Sequence, residues 1–139
     1  MTNRKITADT LRQLPSAKVK KLFEQLGPVK VDELQHDWSF WGRDAQFPPT
    51  DNEWNTWLIN AGRGFGKTRC GAEWVREQVK LGHKRIACVA STNSDIERVM
   101  VKGESGFLSV CWKHDKDYNG KLTGFPEWSP TKRSLTWAN

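Results

Sequence analysis

Residues 57–68 read Trp-Leu-Ile-Asn-Ala-Gly-Arg-Gly-Phe-Gly-Lys-Thr, and this stretch decides which fold the rest of the chain can adopt. Its first four residues form an apolar run directly before a glycine-rich loop, which predicts a short buried strand. The closing Gly-Lys-Thr matches the end of the P-loop pattern, whereas Ala61 stands where that pattern begins with glycine. A strand before the loop and a helix after it are the context in which this pattern binds phosphate.

The loop carries the residue types that a triphosphate needs. Glycines allow backbone N–H groups to converge on anionic oxygens, and the helix that follows adds the positive end of its dipole. Lys67 is therefore expected to contact the β- and γ-phosphates of ATP, and the Thr68 hydroxyl is expected to coordinate Mg²⁺. The predicted nucleotide-binding residues of the loop are Ala61, Gly62, Arg63, Gly64, Phe65, Gly66, Lys67, Thr68 and Arg69.

Arg63 lies between two glycines of the loop and has two interpretations. Its guanidinium could reach the γ-phosphate and stabilise charge in the transition state, as an arginine finger supplied in cis does. Alternatively, it is an exposed arginine that points to solvent or to a neighbouring acid. With Lys67, it is a candidate catalytic residue.

The segments after the loop predict a regular alternation of helices and strands. Residues 68–81 have apolar side chains at helical spacing, and Gly82 supplies a natural helix stop. Residues 85–90, Arg-Ile-Ala-Cys-Val-Ala, are typical of a parallel strand that is covered on both faces. A capping box that begins at Ser94 predicts a further helix over roughly residues 95–102. This order predicts an α/β fold, a P-loop NTPase with a parallel sheet.

The proline-containing segment at residues 47–51, Phe-Pro-Pro-Thr-Asp, interrupts helical structure. We accordingly predict a helical N-terminal appendage over residues 1–45 and the first, incomplete part of a P-loop ATPase domain over residues 46–139. The appendage contains an amphipathic helix for which Ser16 is the predicted cap and whose apolar stripe includes Leu22 and Phe23. Its lysines fit either a solvated helix or an arm that docks a partner.

Composition limits the remaining possibilities. The net charge of +6 is uneven along the chain, because residues 1–30 and 61–90 each hold seven Lys and Arg against two acids, whereas residues 31–60 hold one against six. Basic regions of this kind suit a polyanion partner but do not prove one. The three cysteines lack metal-ligand spacing and predict reduced structural thiols. No apolar run is long enough for a membrane span, and no signal peptide is evident, so a cytoplasmic location is expected.

From about residue 38 to its end, the chain resembles the large terminase subunit of tailed phages. The resemblance rests on residues 38–46 (Trp-Ser-Phe-Trp-Gly-Arg-Asp-Ala-Gln), the Pro-Pro pair at 48 and 49, residues 54–59, the string at 61–75 (Ala-Gly-Arg-Gly-Phe-Gly-Lys-Thr-Arg-Cys-Gly-Ala-Glu-Trp-Val), the segment at 89–93, and residues 127–139. The string over residues 61–75 is its most specific part. Residues 1–37 are not distinctive.

The resemblance implies a motor ATPase that packages double-stranded viral DNA into a procapsid in the host cytoplasm. Such a motor works with a portal protein and a small terminase subunit, forms a homo-oligomeric ring, and carries a separate nuclease domain. Lys67 and Thr68 then correspond to the phosphate lysine and the magnesium threonine, and Arg63 corresponds to the P-loop arginine. Gln46 resembles a glutamine that reads adenine, with Trp41 or Phe47 available to pack on the base.

One departure concerns the acidic strand that a packaging ATPase uses to hold Mg²⁺ and polarise water. After Ala90, no apolar run ends in Asp-Glu, and the polar stretch around Asp115 and Asp117 predicts a solvated loop. The chain is therefore expected to be a fragment or an early-terminated form of a large terminase, with ATP binding more plausible than efficient turnover. Two alternatives stay open: a helicase-like P-loop translocase, and a non-catalytic terminase fragment that acts in assembly or recognition.

Overall fold

The chain divides into two units. The boundary lies between Pro48 and Pro49, inside the proline-containing segment that interrupts helical structure. The structure is a computed structural model, and it describes residues 7–50 and 53–138. Gln46, which the sequence analysis assigned to the second domain, lies in the first unit.

The first unit consists of short helices around a small core. The helices are α1 (Ala8–Arg12), α2 (Ser16–Gln35), α3 (Trp38–Trp41) and a 3₁₀ turn (Asp44–Gln46). Gly27 interrupts α2 with a φ of 75°, in the left-handed region, and Pro28 follows it inside the helix. A helical segment continues beyond this break. The interpretation of Ser16 as a cap is wrong, because Ser16 is the first residue of α2 and the cap position is held by Pro15.

The core of the first unit comprises the buried side chains of Ala8, Leu11 and Phe40. Leu22 and Phe23, from the predicted apolar stripe of α2, are only partly buried against it. No residue of α2 is fully buried. The first unit is therefore held by few apolar contacts, and most of its helical surface meets solvent.

The second unit is organised around helix α4 (Lys67–Lys80), which confirms the helix predicted over residues 68–81. Gly82 ends it with a φ of 87°, a backbone conformation that glycine adopts without a Cβ clash. The backbone N–H of His83 donates to the carbonyl of Gln78 (3.0 Å), and that of Gly82 donates to Val79 (3.0 Å). These two bonds form a Schellman motif and satisfy carbonyls of the last turn.

The turn α5 (Asn93–Asp95) continues directly into a π-helical segment, Ile96–Val101, near the predicted third helix. The predicted capping box at Ser94 is wrong. Thr92 is the N-cap, and its hydroxyl accepts a hydrogen bond from the Asp95 backbone N–H at 3.1 Å.

Helix α6 (Phe107–Val110) precedes an antiparallel hairpin of β1 (Glu127–Ser129) and β2 (Ser134–Thr136), in which Trp128 lies opposite Leu135. The core of the second unit consists of Ala72, Val75, Val101, Phe107, Val110 and Cys111. It lies where α4, the π-helical segment and α6 meet.

The two apolar runs that predict parallel strands, residues 57–60 and 85–90, belong to no helix, strand or sheet among the described residues. Leu58 is 82% exposed and Val89 is 84% exposed. The burial of residues 85–90 on both faces is therefore not seen. The parallel sheet itself remains a prediction.

Candidate nucleotide-binding site

The glycine-rich loop over residues 61–66 runs directly into the first turn of α4. Gly64 and Gly66 have φ angles of 83° and 94°, which a residue with a Cβ adopts only with strain. At Gly62 and Gly64, a Cβ would meet no atom within 4 Å among the described residues. The glycines thus supply backbone conformation, and their outer face is open to a ligand.

Lys67 closes the loop through its ammonium group. Its Nζ donates to the backbone carbonyl of Ala61 (2.7 Å) and to that of Gly62 (2.8 Å). An ammonium has three donors, so one N–H remains for a further acceptor. The side chain is exposed, and its positive charge is therefore held beside the loop and within reach of solvent.

The N-terminus of α4 offers donors and positive charge to an anion. The first N–H groups of a helix have no acceptor within the helix. The N-cap is Gly66, which has no side chain to serve them, and the first turn contains no acidic residue. The helix dipole and Lys67 therefore act in the same direction on an anionic ligand.

Thr68, the proposed magnesium residue, is the second residue of α4 and is exposed. Its hydroxyl fits a Mg²⁺ ion whose other ligands are water and phosphate oxygens, because Mg²⁺ in such sites keeps few protein ligands. In the described part of the chain, no group of three or more His, Cys, Asp or Glu side chains is placed to hold a metal ion. A bound Mg²⁺ would neutralise charge on the phosphates.

Arg63 is exposed, and both interpretations of its role stay open. Phe65, the other side chain of the loop, is half-buried. Arg69 lies in the first turn of α4, and its side chain is directed to Glu73, with Nη2 at 2.6 Å and Nε at 2.8 Å from the carboxylate oxygen Oε1. A phosphate that recruits Arg69 would have to compete with this ion pair.

A buried ionic network continues along α4, and the local sequence pattern does not predict it. The other carboxylate oxygen of Glu73 accepts a hydrogen bond from Arg76 (3.1 Å). Arg76 also forms a bidentate ion pair with Asp115, in which the Nε···Oδ2 distance is 2.7 Å and the Nη2···Oδ1 distance is 2.5 Å. Lys80 approaches Asp115 at 3.4 Å. The available signal was the spacing of charged residues at 69, 73, 76 and 80, which places them on one face of the helix.

Asp115 is 5% exposed, so its prediction as part of a solvated loop is wrong. Burial raises the pKa of Asp115, but the hydrogen bonds and charge of Arg76 outweigh burial and hold the pKa below its ordinary value of 3.8. Burial likewise lowers the pKa of Arg76, but the bonds to Asp115 raise it above its ordinary value. Asp117 is half-buried, and its carboxylate accepts from the backbone N–H groups of Asn119 and Lys121. Both acids therefore have structural partners.

Gln46 is buried in the first unit at 7% exposure. Its side-chain oxygen accepts hydrogen bonds from the backbone N–H (3.0 Å) and Nε (3.3 Å) of Arg43. These bonds hold the 3₁₀ turn. An amide that reads adenine would have to exchange them for contacts with the base.

The cysteines show no sign of an activated thiol. Cys70 and Cys111 are buried, Cys88 is half-buried, and all three are free thiols. Burial raises the pKa of Cys111 to about 12 and also raises that of Cys88. A protonated thiol is a poor nucleophile and a poor metal ligand.

Comparison with known proteins adds no assignment: no family model matches the chain, and neither a curated protein nor a solved structure matches it. Over the described ranges 7–50 and 53–138, no helix is both long and apolar enough to cross a membrane.

Proposed function

We propose that residues 61–69 bind the phosphates of Mg·ATP, and that the chain is the ATP-binding part of a large terminase, the motor that packages viral DNA. The observation that carries the binding proposal is the position of the Lys67 ammonium. It bridges two loop carbonyls directly beside the uncapped N-terminus of a 14-residue helix. The motor role is supported by the terminase-like string at residues 61–75.

The loop residues divide the work of holding a triphosphate. Glycine N–H groups and the first turn of α4 donate hydrogen bonds to phosphate oxygens. Lys67 brings its charge to the β- and γ-phosphates, and Thr68 holds Mg²⁺. Arg63 is the residue with the reach and charge to contact the terminal phosphate. Hydrolysis would need a carboxylate to activate water, and the two buried acids of the described ranges, Glu73 and Asp115, are committed to arginines.

The binding proposal is tested by titrating a fluorescent ATP analogue with Mg²⁺ into the wild-type protein and into Lys67→Ala. A hydrogen bond to a charged group contributes about 1.5–3 kcal/mol, so affinity should fall roughly 10- to 100-fold. Lys18→Ala, which removes the same charge from the first unit, serves as the matched control and should bind like the wild type.

Thermal unfolding of both variants establishes that the fold persists. Equal ATP affinity in Lys67→Ala and the wild type would contradict the P-loop proposal. The motor role requires a separate measurement, which is ATP-dependent DNA packaging with procapsids and the complete terminase. Absence of any effect of Lys67→Ala on packaging would contradict that role.

A further inference from the structure

Residues 84–90 belong to no helix or strand and make no hydrogen bond to any residue the structure describes. Their side chains alternate: Ile86, Cys88 and Ala90 are half-buried, whereas Ala87 and Val89 are exposed. This alternation in burial is the pattern of a strand that has one face on the core. A row of unpaired N–H and C=O groups of this kind is a template for pairing with a further strand.

An open crevice lies beside this segment, with a volume of about 1450 Å³. Its apolar lining includes Val75 and Val79 of α4, Phe107 of α6, and Trp137 after the β1–β2 hairpin. Pockets for small molecules usually measure about 300–1000 Å³. The crevice is larger than this range, so its dimensions favour a chain segment as the occupant.

Trp128, which also lines the crevice, has a polar group without a partner. Its indole Nε1–H is buried and has no acceptor among the described residues. A buried donor that lacks an acceptor destabilises the fold. The hairpin wall would therefore be stabilised by a rearrangement that brings an acceptor to this group when the crevice is filled.

The charge of the crevice indicates what kind of segment fits it. Basic side chains outnumber acidic ones along its lining, which includes Lys84, Arg85, Arg98, Lys121 and Arg133 against Glu97 and Asp117. An apolar strand with acidic residues at its ends matches both the charge and the apolar walls. A nucleic acid would match the charge but would leave the apolar walls and the unpaired main chain uncovered.

We propose that residues 84–90 and the adjoining crevice bind an extended strand of another polypeptide, in which alternate side chains are apolar and the ends are acidic. The added strand pairs with the main chain of residues 84–90, its apolar side chains pack on the half-buried Ile86 and Trp137, and its acids meet Lys84 and Arg85. This inference is independent of nucleotide binding.

The test uses a labelled ten-residue peptide with two glutamates at each end and six alternating valines and threonines between them. Fluorescence anisotropy should show saturable binding to the wild-type protein. Lys84→Glu combined with Arg85→Glu should weaken binding about tenfold, since two favourable charge contacts become repulsive. Lys18→Glu combined with Lys20→Glu makes the same change in net charge in the first unit and should leave affinity unchanged.

A second peptide of the same sequence, methylated at alternate backbone nitrogens, isolates main-chain pairing and should bind more than tenfold more weakly. The proposal is overturned if the first peptide does not bind, if methylation has no effect, or if the two double variants behave alike. It is also overturned if an oligonucleotide, but not the peptide, binds the crevice. Light scattering that shows two copies of the chain joined at residues 84–90 would overturn it as well, because a second copy would be the occupant.

Discussion

At the scale of single residues, the Arg76–Asp115 pair determines how α4 is tied to the segment after Cys111. Both side chains are nearly inaccessible, and removing one partner of a buried pair leaves an uncompensated charge. We expect Asp115→Asn to lower the free energy of unfolding by roughly 3 kcal/mol, measured in urea. The matched control is Asp9→Asn, which breaks an exposed ion pair with Arg12 and should cost no more than about 0.5 kcal/mol.

The same pair makes stability depend on pH. Because the folded pKa of Asp115 lies below its ordinary value of 3.8, its ionised form stabilises the fold above that pH. This contribution should decline as the pH falls below 3.8 and through the folded pKa. The difference in unfolding free energy between the wild type and Asp115→Asn should therefore shrink in acid. A difference that stays constant from pH 6 to pH 2 would contradict the depressed pKa.

If the guanidinium of Arg63 contacts the γ-phosphate, the site should distinguish ATP, which carries that phosphate, from ADP, which lacks it. Arg63→Ala should then weaken ATP binding about tenfold while changing ADP binding less than twofold, because a charge-assisted bond to the terminal phosphate is lost. Competition titrations with the two nucleotides measure both values. Identical losses for ATP and ADP would place the contact elsewhere. No loss for either would exclude a contact in the bound ground state, and a turnover assay on the complete terminase would then separate a transition-state finger from an exposed arginine.

Residue-level prediction from the sequence succeeds where the signal is local. The Gly-Lys-Thr spacing places Lys67 next to the loop carbonyls, because the residues are separated by only five or six positions. The partner of Arg76 lies 39 positions away, in a stretch whose Lys and His content indicates solvent exposure. Nothing in the local pattern reveals that Asp115 is buried, since its burial depends on how that stretch packs on α4.

At the scale of elements, substitution by alanine at two glycines of the α4 region should change the stability of the protein in opposite directions. Gly82 has a φ of 87°, so Gly82→Ala should destabilise the protein by about 1–2 kcal/mol through backbone strain. Gly71 lies inside α4, and Gly71→Ala should stabilise it by about 0.5–1 kcal/mol. In both cases a Cβ meets no atom within 4 Å among the described residues, so backbone conformation decides the sign.

Urea unfolding of the two glycine variants measures these differences. If both substitutions destabilise the protein, then either α4 does not extend through Gly71 or another segment covers the face of α4 on which Gly71 lies. Stabilisation by Gly82→Ala would contradict the left-handed helix stop.

Element boundaries follow the same distinction between local and distant causes. The start and stop of α4 are predictable because glycine conformations set them within the segment. For residues 85–90, the apolar run is evident in the sequence, but the exposure of Val89 is not, because covering that face depends on distant segments. The sequence does not single out Thr92 as the cap of α5, because Ser91, Thr92 and Ser94 are all capping residue types.

At the scale of the whole molecule, the prolines at 48 and 49 mark a division that composition alone suggests within a few residues. The sequence places helices before this point and the glycine-rich loop after it. It does not reveal that Gln46 is committed to the 3₁₀ turn of the first unit, because a buried amide and an exposed one have the same local sequence. The adenine-reading role of Gln46 therefore remains a prediction from the resemblance.

The division of the chain into two units predicts which part of it binds nucleotide. All loop residues proposed to contact phosphate, 61–69, belong to the second unit. A fragment of residues 49–139 should therefore bind Mg·ATP with an affinity within about threefold of the full chain, because the phosphate contacts supply most of the binding free energy. Titration of a fluorescent ATP analogue into both proteins measures this, with far-UV circular dichroism to establish that the fragment retains its helices. Inorganic pyrophosphate, which lacks a base, serves as the matched ligand. Loss of more than tenfold for ATP, with pyrophosphate affinity retained, would contradict a purely phosphate-based site and would support a contribution of Gln46 to adenine recognition.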